Sequence, residues 1–535
     1  MKAISLPHLH LLSVTLKYRI EPPDRPLGRR VLSVEEMRAA DACAIAEQRV
    51  PGIVLMEHAG RHLAMAAREL STVADLCVVL TGGGNNGGDG YSAARHLMSM
   101  GRQVEVWALR ERSALDGDTA LAASMAEASG VIIREPATWS GQSLRTLAKG
   151  TILIDALMGT GLKENVRARA AELIRTVNQL PLVVIAADIP SGVCGDSGAV
   201  LGVAIEATKT ITFQASKLGH WLYPGAGCVG ELCIVDIGMP DVAMQVMSVN
   251  RRIADENADL EPVFEDVDAN SHKGRNGHVL VIGGMLGRTG AVRMAADAAM
   301  VAGAGLVTVG TSRSALASLG GQAYEIMACA LFDDTAAMDW HEIALGYDAV
   351  VLGPGLPSDA SLGRRLLTTL HLLNKPLVLD ADGLNHLAMK GQGGCTLEEC
   401  VITPHPGEAG RLLGCSAQAI QSDRVGAVNE LVSRYDTTVV LKGAHTLIGT
   451  RHRELIICGA GNVGMATAGT GDVLAGVIGA LLARGLPPNE AAIGGVLWHA
   501  MAGDHSAEKE GPTGLRARDI LTGLRGVEAW YRDLV

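Results

Sequence analysis

Short apolar stretches alternate with helical patterns along most of the chain, and this alternation restricts the folds that it can adopt. In the first half, stretches rich in Val, Ile and Leu lie at 76–80, 104–108, 151–154, 182–186, 210–213 and 232–235. Strands that alternate with helices favour a doubly wound parallel sheet with helices on both faces. In such a sheet, ligands bind at the carboxyl ends of the strands. We therefore expect functional residues directly after the strands.

A second series of apolar stretches begins after a charged, irregular segment at 240–270. Its members lie at 278–282, 306–309, 349–352, 376–379, 400–402, 438–441 and 455–458. Because 535 residues exceed what one hydrophobic core usually supports, the sequence predicts two α/β domains. We expect a flexible leader at 1–29, a first domain at 30–246, a linker at 247–269 and a second domain at 270–533. The capping box of Ser33 and Glu36 predicts a helix that continues to about Glu47.

Charge and cysteine usage limit the function classes. The formal charge of −11 disfavours a general electrostatic grip on nucleic acid or on an anionic membrane, since no basic surface is evident. No apolar run approaches the roughly 18 residues of a membrane span. The ten cysteines form no CxxC pair, which is typical of a reducing compartment. We predict a cytoplasmic protein that acts on small molecules, and we expect a homo-oligomer.

The first glycine-rich turn, at 81–90, has the sequence TGGGNNGGDG and stands between a predicted strand and a helix. Glycine lets backbone N–H groups approach an anion, and the positive end of a helix adds to the attraction. This predicts a phosphate-handling site. The alternative is an ordinary tight turn in which Asp89 caps a helix that begins near Tyr91.

Polar residues at other predicted strand ends indicate a cation site in the same domain. Asn86, Asp155 and Ser191 bring an amide, a carboxylate and a hydroxyl to neighbouring strand ends. Hard oxygen ligands with a single formal charge suit a monovalent ion. Asp188 is a candidate general base or ligand for a substrate hydroxyl. Equally, it orders the turn before Pro190.

The second glycine-rich turn, AGTGD at 468–472, precedes a strongly apolar helical pattern. The N–H groups of 469–471 would form an anion hole at the helix N-terminus, and Asp472 could accept a proton from a hydroxyl that attacks a phosphoryl group. The alternative role is a helix N-cap.

Two further loops of the second half carry candidate ligands. The segment 442–446, KGAHT, follows a buried strand and could hold a nucleotide phosphate or ribose, although such a turn is often only structural. His405 stands between two prolines on a stiff loop, and Glu408 could reach a magnesium ion through water.

Taken together, these motifs resemble those of a known family. GGGNNGGDG, DALMGTG and DIPSG resemble the NAD(P)H-hydrate epimerase domain. KGRNGHVLVIGG, RTGA, LGPGL, DADGLN, TPHPGE, LKGAHT and GNVGMATAGTGDVLAG resemble the ADP-dependent NAD(P)H-hydrate dehydratase domain. From about residue 30 to residue 530, the chain resembles the bifunctional nicotinamide nucleotide repair proteins. The resemblance implies a Rossmann-like domain followed by a ribokinase-like domain.

The resemblance also implies an activity and its residues. The first domain would interconvert the R and S hydrates of NADH and NADPH, with potassium, and the second would dehydrate the S form with ADP and magnesium, releasing AMP and phosphate. Asp188 and Asp472 would be the catalytic residues. The hydrate would contact Asn85, Asn86, Gly87, Gly88, Asp89, Gly159, Thr160, Gly161, Leu162, Lys163, Glu164, Asn165 and Asp188 in the first domain, and Ala291, Gly355, His405 and Asp472 in the second. Potassium would contact Asn86, Asp155 and Ser191, and the nucleotide would contact Lys442, Gly443, Ala444, His445, Thr446 and Gly471.

Some positions depart from the family pattern. The segment 161–166 lacks the Arg-Pro expected after GTGL, His58 stands in place of an asparagine, and Arg288 replaces a tyrosine. We expect the first departure to reshape hydrate binding and the second to alter the packing beneath it.

A rival interpretation is a ribokinase-like small-molecule kinase, of the hydroxymethylpyrimidine type, fused to a non-catalytic dinucleotide-binding domain. The GTGD motif by itself does not separate the two. The TPHPGE and LKGAHT loops favour the dehydratase.

Overall fold

In the computed structural model of the chain, two compact units adjoin in sequence between Arg252 and Ile253. The structure describes residues 18–21, 29–72, 75–245, 249–265, 270–319, 325–332, 345–357, 365, 375–390 and 397–534. Within these residues, no helix is both long enough and apolar enough to cross a membrane.

Parallel strands and covering helices build the first unit. Its strands are β1 (Tyr18–Glu21), β2 (Val31–Leu32), β3 (Leu76–Thr81), β4 (Gln103–Ala108), β5 (Ile132–Arg134), β6 (Ile152–Ala156), β7 (Val183–Ala187), β8 (Lys209–Phe213), β9 (Ser216–Lys217) and β10 (Glu231–Val235). Its helices are α1 (Val34–Ala46), α2 (Gly52–Leu70), α3 (Asn85–Ser99), α4 (Gly117–Ala128), α5 (Gly141–Leu144), α6 (Ala168–Asn178) and α7 (Asp241–Gln245). The predicted capping box of α1 is present: the Ser33 hydroxyl accepts from the Glu36 N–H, and the Glu36 carboxylate accepts from the Ser33 N–H.

The main sheet of this unit has the order β1-β10-β8-β7-β6-β3-β4-β5, and all its pairs are parallel. From β3 the chain runs outward through β4 and β5, then returns to β6 on the other side of β3. The carboxyl ends of β3 and β6 therefore flank a topological switch point, where open α/β sheets form a ligand crevice. The predicted doubly wound fold is confirmed.

Two expectations about chain organisation need correction. Residues Tyr18–Glu21 lie within the predicted flexible leader but form an ordered edge strand that pairs with β10. The rest of the leader, apart from residue 29, lies outside the described residues. The predicted linker also contains structure, because Leu260, Val263 and Phe264 are buried in the core of the second unit. Buried apolar side chains stabilise a short helix within a segment whose charge pattern indicated a loop.

The second unit is built on another sheet. Its strands are β11 (Arg251–Ile253), β12 (His278–Ile282), β13 (Leu306–Ser312), β14 (Met327–Phe332), β15 (Ala349–Leu352), β16 (Leu377–Leu379), β17 (Cys400–Ile402), β18 (Thr438–Leu441), β19 (Leu447–Gly449) and β20 (Leu455–Ile457). Its helices are α8 (Glu261–Phe264), α9 (Thr289–Val301), α10 (Arg313–Leu319), α11 (Asp382–Lys390), α12 (Pro406–Leu413), α13 (Ala417–Ser422), α14 (Arg424–Tyr435), α15 (Thr470–Ala483), α16 (Pro488–Glu510) and α17 (Ala517–Leu534).

The strand order of this sheet is β11-β20-β19-β18-β17-β16-β15-β12-β13-β14. The run from β18 through β12 to β14 is parallel, whereas β18, β19 and β20 pair antiparallel. The loops after β12, β15, β16, β17 and β18 consequently emerge at one edge. This is the edge at which the sequence predicted the polar motifs to converge.

Close packing of α9 and α15 places the start of α15 above the sheet. All residues of α15 from Val473 to Ala483 are buried. A Cβ at Gly476 would collide with the carbonyl oxygen of Ala295. The two helices therefore approach to backbone contact, and the glycine makes this approach possible.

Candidate active sites

A cavity of about 560 Å³ opens at the switch point of the first unit. The predicted substrate-binding residues that line it are Asn85, Asn86, Asp89, Gly159, Thr160, Gly161, Leu162 and Asp188. Further lining residues that the sequence did not indicate include Arg38, Asp41 and Lys217. The volume lies in the range of small-molecule and cofactor pockets, which is about 300–1,000 Å³.

The helix that follows β3 begins earlier than the capping interpretation of the glycine-rich turn predicted. Helix α3 starts at Asn85, with Gly84 as its N-cap. Asp89 thus lies inside the helix and lines the cavity instead of capping a helix at Tyr91. The capping alternative was wrong, because the glycine-rich stretch itself adopts helical geometry when it packs against neighbouring elements.

Gly87 and Gly88 serve that packing. A Cβ at Gly87 would collide with the carbonyl oxygen of Gly82, and a Cβ at Gly88 would come 2.5 Å from the Met56 Cε. Both glycines are buried and lie outside the cavity lining. Residues 163–165 are exposed and also lie outside it. Their predicted contacts with the hydrate stay predictions.

A buried ion pair occupies the floor of the cavity. The Lys217 ammonium lies 2.5 Å from Oδ1 of Asp188, and its side chain is only 1% exposed. The Thr212 hydroxyl donates to the same oxygen at 2.9 Å. Burial alone would raise the pKa of Asp188, but the Lys217 charge and these hydrogen bonds hold that pKa below its ordinary value. Asp188 is therefore an ionised carboxylate.

His220 fixes the backbone of this pair. Its Nδ1 accepts from the Lys217 N–H at 2.9 Å, so its Nε2 carries the proton and donates to the Asp188 carbonyl oxygen at 2.8 Å. Burial lowers the pKa of His220 to about 4, which keeps the ring neutral. Asp188 itself has a φ of 62°, a left-handed conformation that is rare for residues with a side chain. Strain of this kind is common at functional sites.

The pKa values of two other carboxyl groups that line the same cavity are shifted in the opposite direction. Burial raises the pKa of Asp41 to about 6, with Lys217 opposing and Asp188 adding to the shift. Burial, together with the charge of Asp188, also raises the pKa of Asp89 well above its ordinary value. One ionised carboxylate beside protonatable carboxyls is an arrangement that can both accept and donate protons.

Of the three predicted cation ligands, Asp155 and Ser191 contact each other directly. The Ser191 hydroxyl donates to Oδ1 of Asp155 at 2.6 Å, and the Ser191 N–H donates to Oδ2 at 2.8 Å. Burial raises the pKa of Asp155 to about 6. Asn86 lies against Gly159, and its Nδ2 is buried without a hydrogen-bond partner in the described structure. A side-chain amide that turns over would present its oxygen at that position.

The second candidate site lies at the start of α15. Helix α15 begins at Thr470 with Gly469 as N-cap, so Asp472 is in the first turn and does not cap the helix. A Cβ at Gly471 would stand 3.3 Å from the Lys442 ammonium and 3.8 Å from the Asp380 Oδ2. Burial raises the pKa of Asp472 to about 7, and the negative charge of Asp380 adds to the effect. A base with a pKa near neutrality is well suited to accept a proton.

Lys442 lies at the centre of this site among acids. Its ammonium is 2.5 Å from Oδ1 of Asp380 and 3.8 Å from Oε2 of Glu408. The Thr403 hydroxyl also donates to Oδ1 of Asp380, at 2.7 Å. Asp380 is 1% exposed and follows β16 directly. Asp380 is not among the predicted site residues, although its position directly after a buried strand places it at the predicted edge.

His405 and Glu408 form the N-terminal cap of α12. His405 is the N-cap residue, its Nδ1 accepts from the Gly407 N–H at 3.0 Å, and its own N–H donates to the Glu408 Oε2 at 2.8 Å. Its Nε2 lies 3.4 Å from the Glu408 Oε1. Burial raises the pKa of Glu408 to about 7 against the pull of Lys442. His405 is therefore both structurally fixed and half exposed beside the acidic cluster.

Ala291 and Gly355 come together at the same sheet edge. A Cβ at Gly355 would lie 3.4 Å from the Ala291 Cβ and 2.6 Å from the Arg288 carbonyl oxygen.

The two single-residue departures from the family pattern make contacts of their own. The guanidinium of Arg288 lies 3.7 Å from the carboxylate of Asp382, and the Arg288 side chain is 57% exposed. In the first unit, the substituted His58 contacts the carbonyl oxygen of Ile237 at 2.6 Å, and Ile237 lines the cavity.

The segment 442–446 forms a tight loop after β18. Gly443 has a φ of 140° and His445 a φ of 49°. The Thr446 hydroxyl donates to the Gly443 carbonyl oxygen at 3.0 Å and closes the loop. His445 is buried, whereas Gly443 and Ala444 are exposed and available to a ligand.

Comparison with known proteins agrees with this two-site organisation. A family model described as YjeF-related protein N-terminus matches residues 52–219, and one described as NAD(P)H-hydrate dehydratase matches residues 279–525. The bifunctional NAD(P)H-hydrate repair enzyme Nnr of Coxiella burnetii is 40% identical over 450 residues, which cover 84% of this chain and 89% of that protein. The chain belongs to the bifunctional NAD(P)H-hydrate repair enzyme family.

Another bifunctional repair enzyme and a solved dehydratase structure are also similar to this chain. Nnr of Escherichia coli is 38% identical over 477 residues, which cover 88% of this chain and 89% of that protein. A structure of the Bacillus subtilis ADP/ATP-dependent NAD(P)H-hydrate dehydratase, co-crystallised with ATP and magnesium, is 26% identical. The similarity covers 52% of this chain and 97% of the Bacillus subtilis chain, with a TM-score of 0.46. The family predicted from the motifs is confirmed, and the relatives favour it over the kinase alternative.

Proposed function

We propose that this chain repairs hydrated nicotinamide coenzymes with two active sites. The first unit interconverts the R and S hydrates of NADH and NADPH, and the second dehydrates the S form at the expense of ADP. The observation that carries the proposal is the arrangement at the start of α15, where Asp472, with a pKa of about 7, lies in the same turn as Gly471, which faces the Lys442 ammonium. A base, an anion hole and a cation are the groups that phosphoryl transfer requires.

The dehydratase step follows from this arrangement. Hydroxide is a poor leaving group, so the ring hydroxyl of the S hydrate attacks the terminal phosphorus of ADP while Asp472 takes its proton, and AMP leaves. The ring nitrogen lone pair then expels phosphate, and loss of a proton from the adjoining carbon restores the double bond. Lys442 and the N–H groups at 469–471 stabilise the transferred phosphoryl group. Ala291, Gly355 and His405 contact the hydrate, and 442–446 with Gly471 hold the nucleotide.

For the epimerase, the ionised Asp188 either accepts a proton from the hydrate or binds its ring hydroxyl. Lys217 keeps Asp188 ionised, and the neighbouring Asp41, with a pKa of about 6, takes up and releases protons close to neutral pH. We propose that the glycine-rich turn 85–89 and the segment 159–165 contact the hydrate. Arg38 lines the cavity, and its positive charge would attract the anionic part of the coenzyme.

Metal ions complete both sites in this proposal. Asp155, Ser191 and the unpartnered amide of Asn86 would hold potassium, for which neutral oxygens with one carboxylate are suitable ligands. Glu408 would reach magnesium through water, as an oxygen donor of the kind that this ion prefers. Magnesium would neutralise charge on the nucleotide phosphates.

A repair assay with separated epimers tests the proposal. Purified protein is incubated with the S or the R hydrate of NADH plus ADP, and reduced-nicotinamide absorbance and AMP are measured. We expect recovery with the S hydrate without use of the first site, and recovery with the R hydrate only when both sites work. The proposal would be contradicted if the reduced-nicotinamide absorbance recovered with neither epimer, or if the protein phosphorylated hydroxymethylpyrimidine instead. Parallel reactions with ATP establish the nucleotide preference.

The same proposal includes a cytoplasmic location and a homo-oligomeric state. Its partners are then the small molecules NADHX, NADPHX and ADP, without nucleic acid or membrane. Cysteine usage supports the reducing compartment. Size-exclusion chromatography with light scattering measures the oligomeric state directly.

A further inference from the structure

A buried arginine lies beneath the loop 442–446 of the second unit. Arg424 begins α14 and is 7% exposed. Its Nη2 donates to the carbonyl oxygens of Leu441, at 3.2 Å, and His445, at 3.5 Å. A Cβ at Gly443 would come 2.6 Å from its Nη1, so the loop is wrapped closely around the guanidinium. The positive φ and the missing Cβ at Gly443 both serve this contact.

This guanidinium has no carboxylate partner in the part of the chain that the structure describes. Nη1 donates to the neutral amide of Gln421 at 2.9 Å, and Nε is buried without a hydrogen-bond partner. Burial lowers the pKa of Arg424 to about 10, and no neighbouring charge offsets this effect. Lys442, by contrast, is paired with Asp380.

Burying a charge without a counter-charge is unfavourable, because the charge loses its hydration. A fold that keeps such a charge beneath a loop with exposed backbone groups is poised for an anion that arrives from outside. The exposed Gly443 and Ala444 are the part of the loop that such an anion can reach. Because the loop covers Arg424, the guanidinium would attract the anion electrostatically across the loop and would not contact it directly.

We propose that Arg424 is a positioning residue for the nucleotide: it shapes the loop 442–446 and supplies the uncompensated positive charge that attracts the nucleotide phosphates. The inference rests on the proposed function of that loop. It assigns to Arg424 two separable contributions, namely the donors that hold two loop carbonyls and the charge itself.

Full-length Arg424→Gln and Arg424→Lys variants test it, with ADP–magnesium as the probe. Glutamine keeps a donor near the loop carbonyls but removes the charge, whereas lysine keeps the charge and loses the planar fork. Calorimetry measures the dissociation constant of ADP, and the repair assay measures KM for ADP and kcat with the S hydrate. We expect R424Q to weaken ADP binding about tenfold or more, mainly through KM, and R424K to recover part of the loss.

Arg434→Gln is the matched control on the same helix. Arg434 also holds a backbone carbonyl, that of Leu412 at 2.9 Å, and pairs with Glu430, but it does not contact the loop. Thermal unfolding of each variant reports whether the second unit is folded, and epimerase activity reports whether the first unit is. R434Q should bind ADP like the wild type.

The outcomes separate this inference from the proposed function. If R424Q folds and binds ADP within about twofold of the wild type, the inference is overturned. If R424Q and R434Q lose binding equally, or R424K is no better than R424Q, the role of the charge is overturned. Selective loss of ADP binding in R424Q, in a chain whose wild type repairs no hydrate, would support the inference and contradict the proposed function. A wild type that binds no ADP overturns both.

Discussion

Replacing Lys217 by methionine removes the counter-charge of Asp188 while keeping most of the buried side-chain volume. The two charged groups lie 2.5 Å apart, and both are largely withdrawn from water, since the lysine side chain is 1% exposed and the aspartate side chain 15% exposed. Loss of one member of a buried pair costs about 3–5 kcal/mol, because the other charge is left buried alone. We therefore expect Lys217→Met to destabilise the first unit by this amount at neutral pH and to abolish epimerisation.

We expect the stability lost in Lys217→Met to depend on pH. In the wild type, the pKa of Asp188 is held below its ordinary value, so the pair contributes stability that is complete above the ordinary aspartate pKa and is lost as the pH falls through the folded pKa. In Lys217→Met, burial dominates and raises that pKa. The stability of the variant then falls as the pH rises from the ordinary aspartate pKa to the raised value, and above the raised value the loss is constant. The difference from the wild type is expected to be smaller at mildly acidic pH than at neutral pH.

Hydrogen exchange measured by mass spectrometry on peptides from β7 and β8 reports the opening free energy of the first unit separately from the second. Lys209→Met is the matched control, because Lys209 is also buried but its partner Glu231, at 3.3 Å, is 40% exposed and stays hydrated. That control should cost at most about 1 kcal/mol. The double variant Asp188→Asn/Lys217→Met should regain part of the lost stability. Wild-type protection in Lys217→Met, or a loss of protection that does not change with pH, would contradict the role of the ion pair.

Other consequences follow at the remaining parts of the two sites. Asp472→Asn should lower the dehydration rate by about 10²- to 10⁴-fold and leave epimerisation intact, since it removes the proposed base; in the wild type, kcat should rise with pH through about 7, and a flat pH profile would contradict this role. Gly476→Ala should destabilise the second unit by about 1–3 kcal/mol in thermal unfolding, because its Cβ meets the Ala295 carbonyl oxygen, and an unchanged midpoint would show that the helices separate freely. Ser191→Ala should raise the potassium concentration needed for half-maximal epimerase activity, whereas equal activity of the wild type without potassium would exclude a cation at this site.

Local signals in the sequence were sufficient for most strands and for one helix start. β12, β15, β17 and β18 begin and end where their apolar stretches do. Edge strands escaped prediction, and β5 is an example: it contains three residues, is mostly exposed and therefore lacks a long apolar pattern. β1 was missed for a related reason, since its pairing with β10 depends on a partner more than two hundred residues away.

The sequence by itself determined that the chain is built from two α/β units and that glycine-rich turns follow their strands, and it singled out Asp188 and Asp472 as candidate catalytic residues. These features are local, since apolar periodicity, turn residues and motifs can be recognised without knowing what lies nearby. Only the tertiary structure decided that Lys217 meets Asp188, that Asp380 meets Lys442 and that Arg424 lies beneath a loop. Charge pairing and pKa values depend on desolvation and on neighbours through space, and both arise only when the strands have been brought side by side.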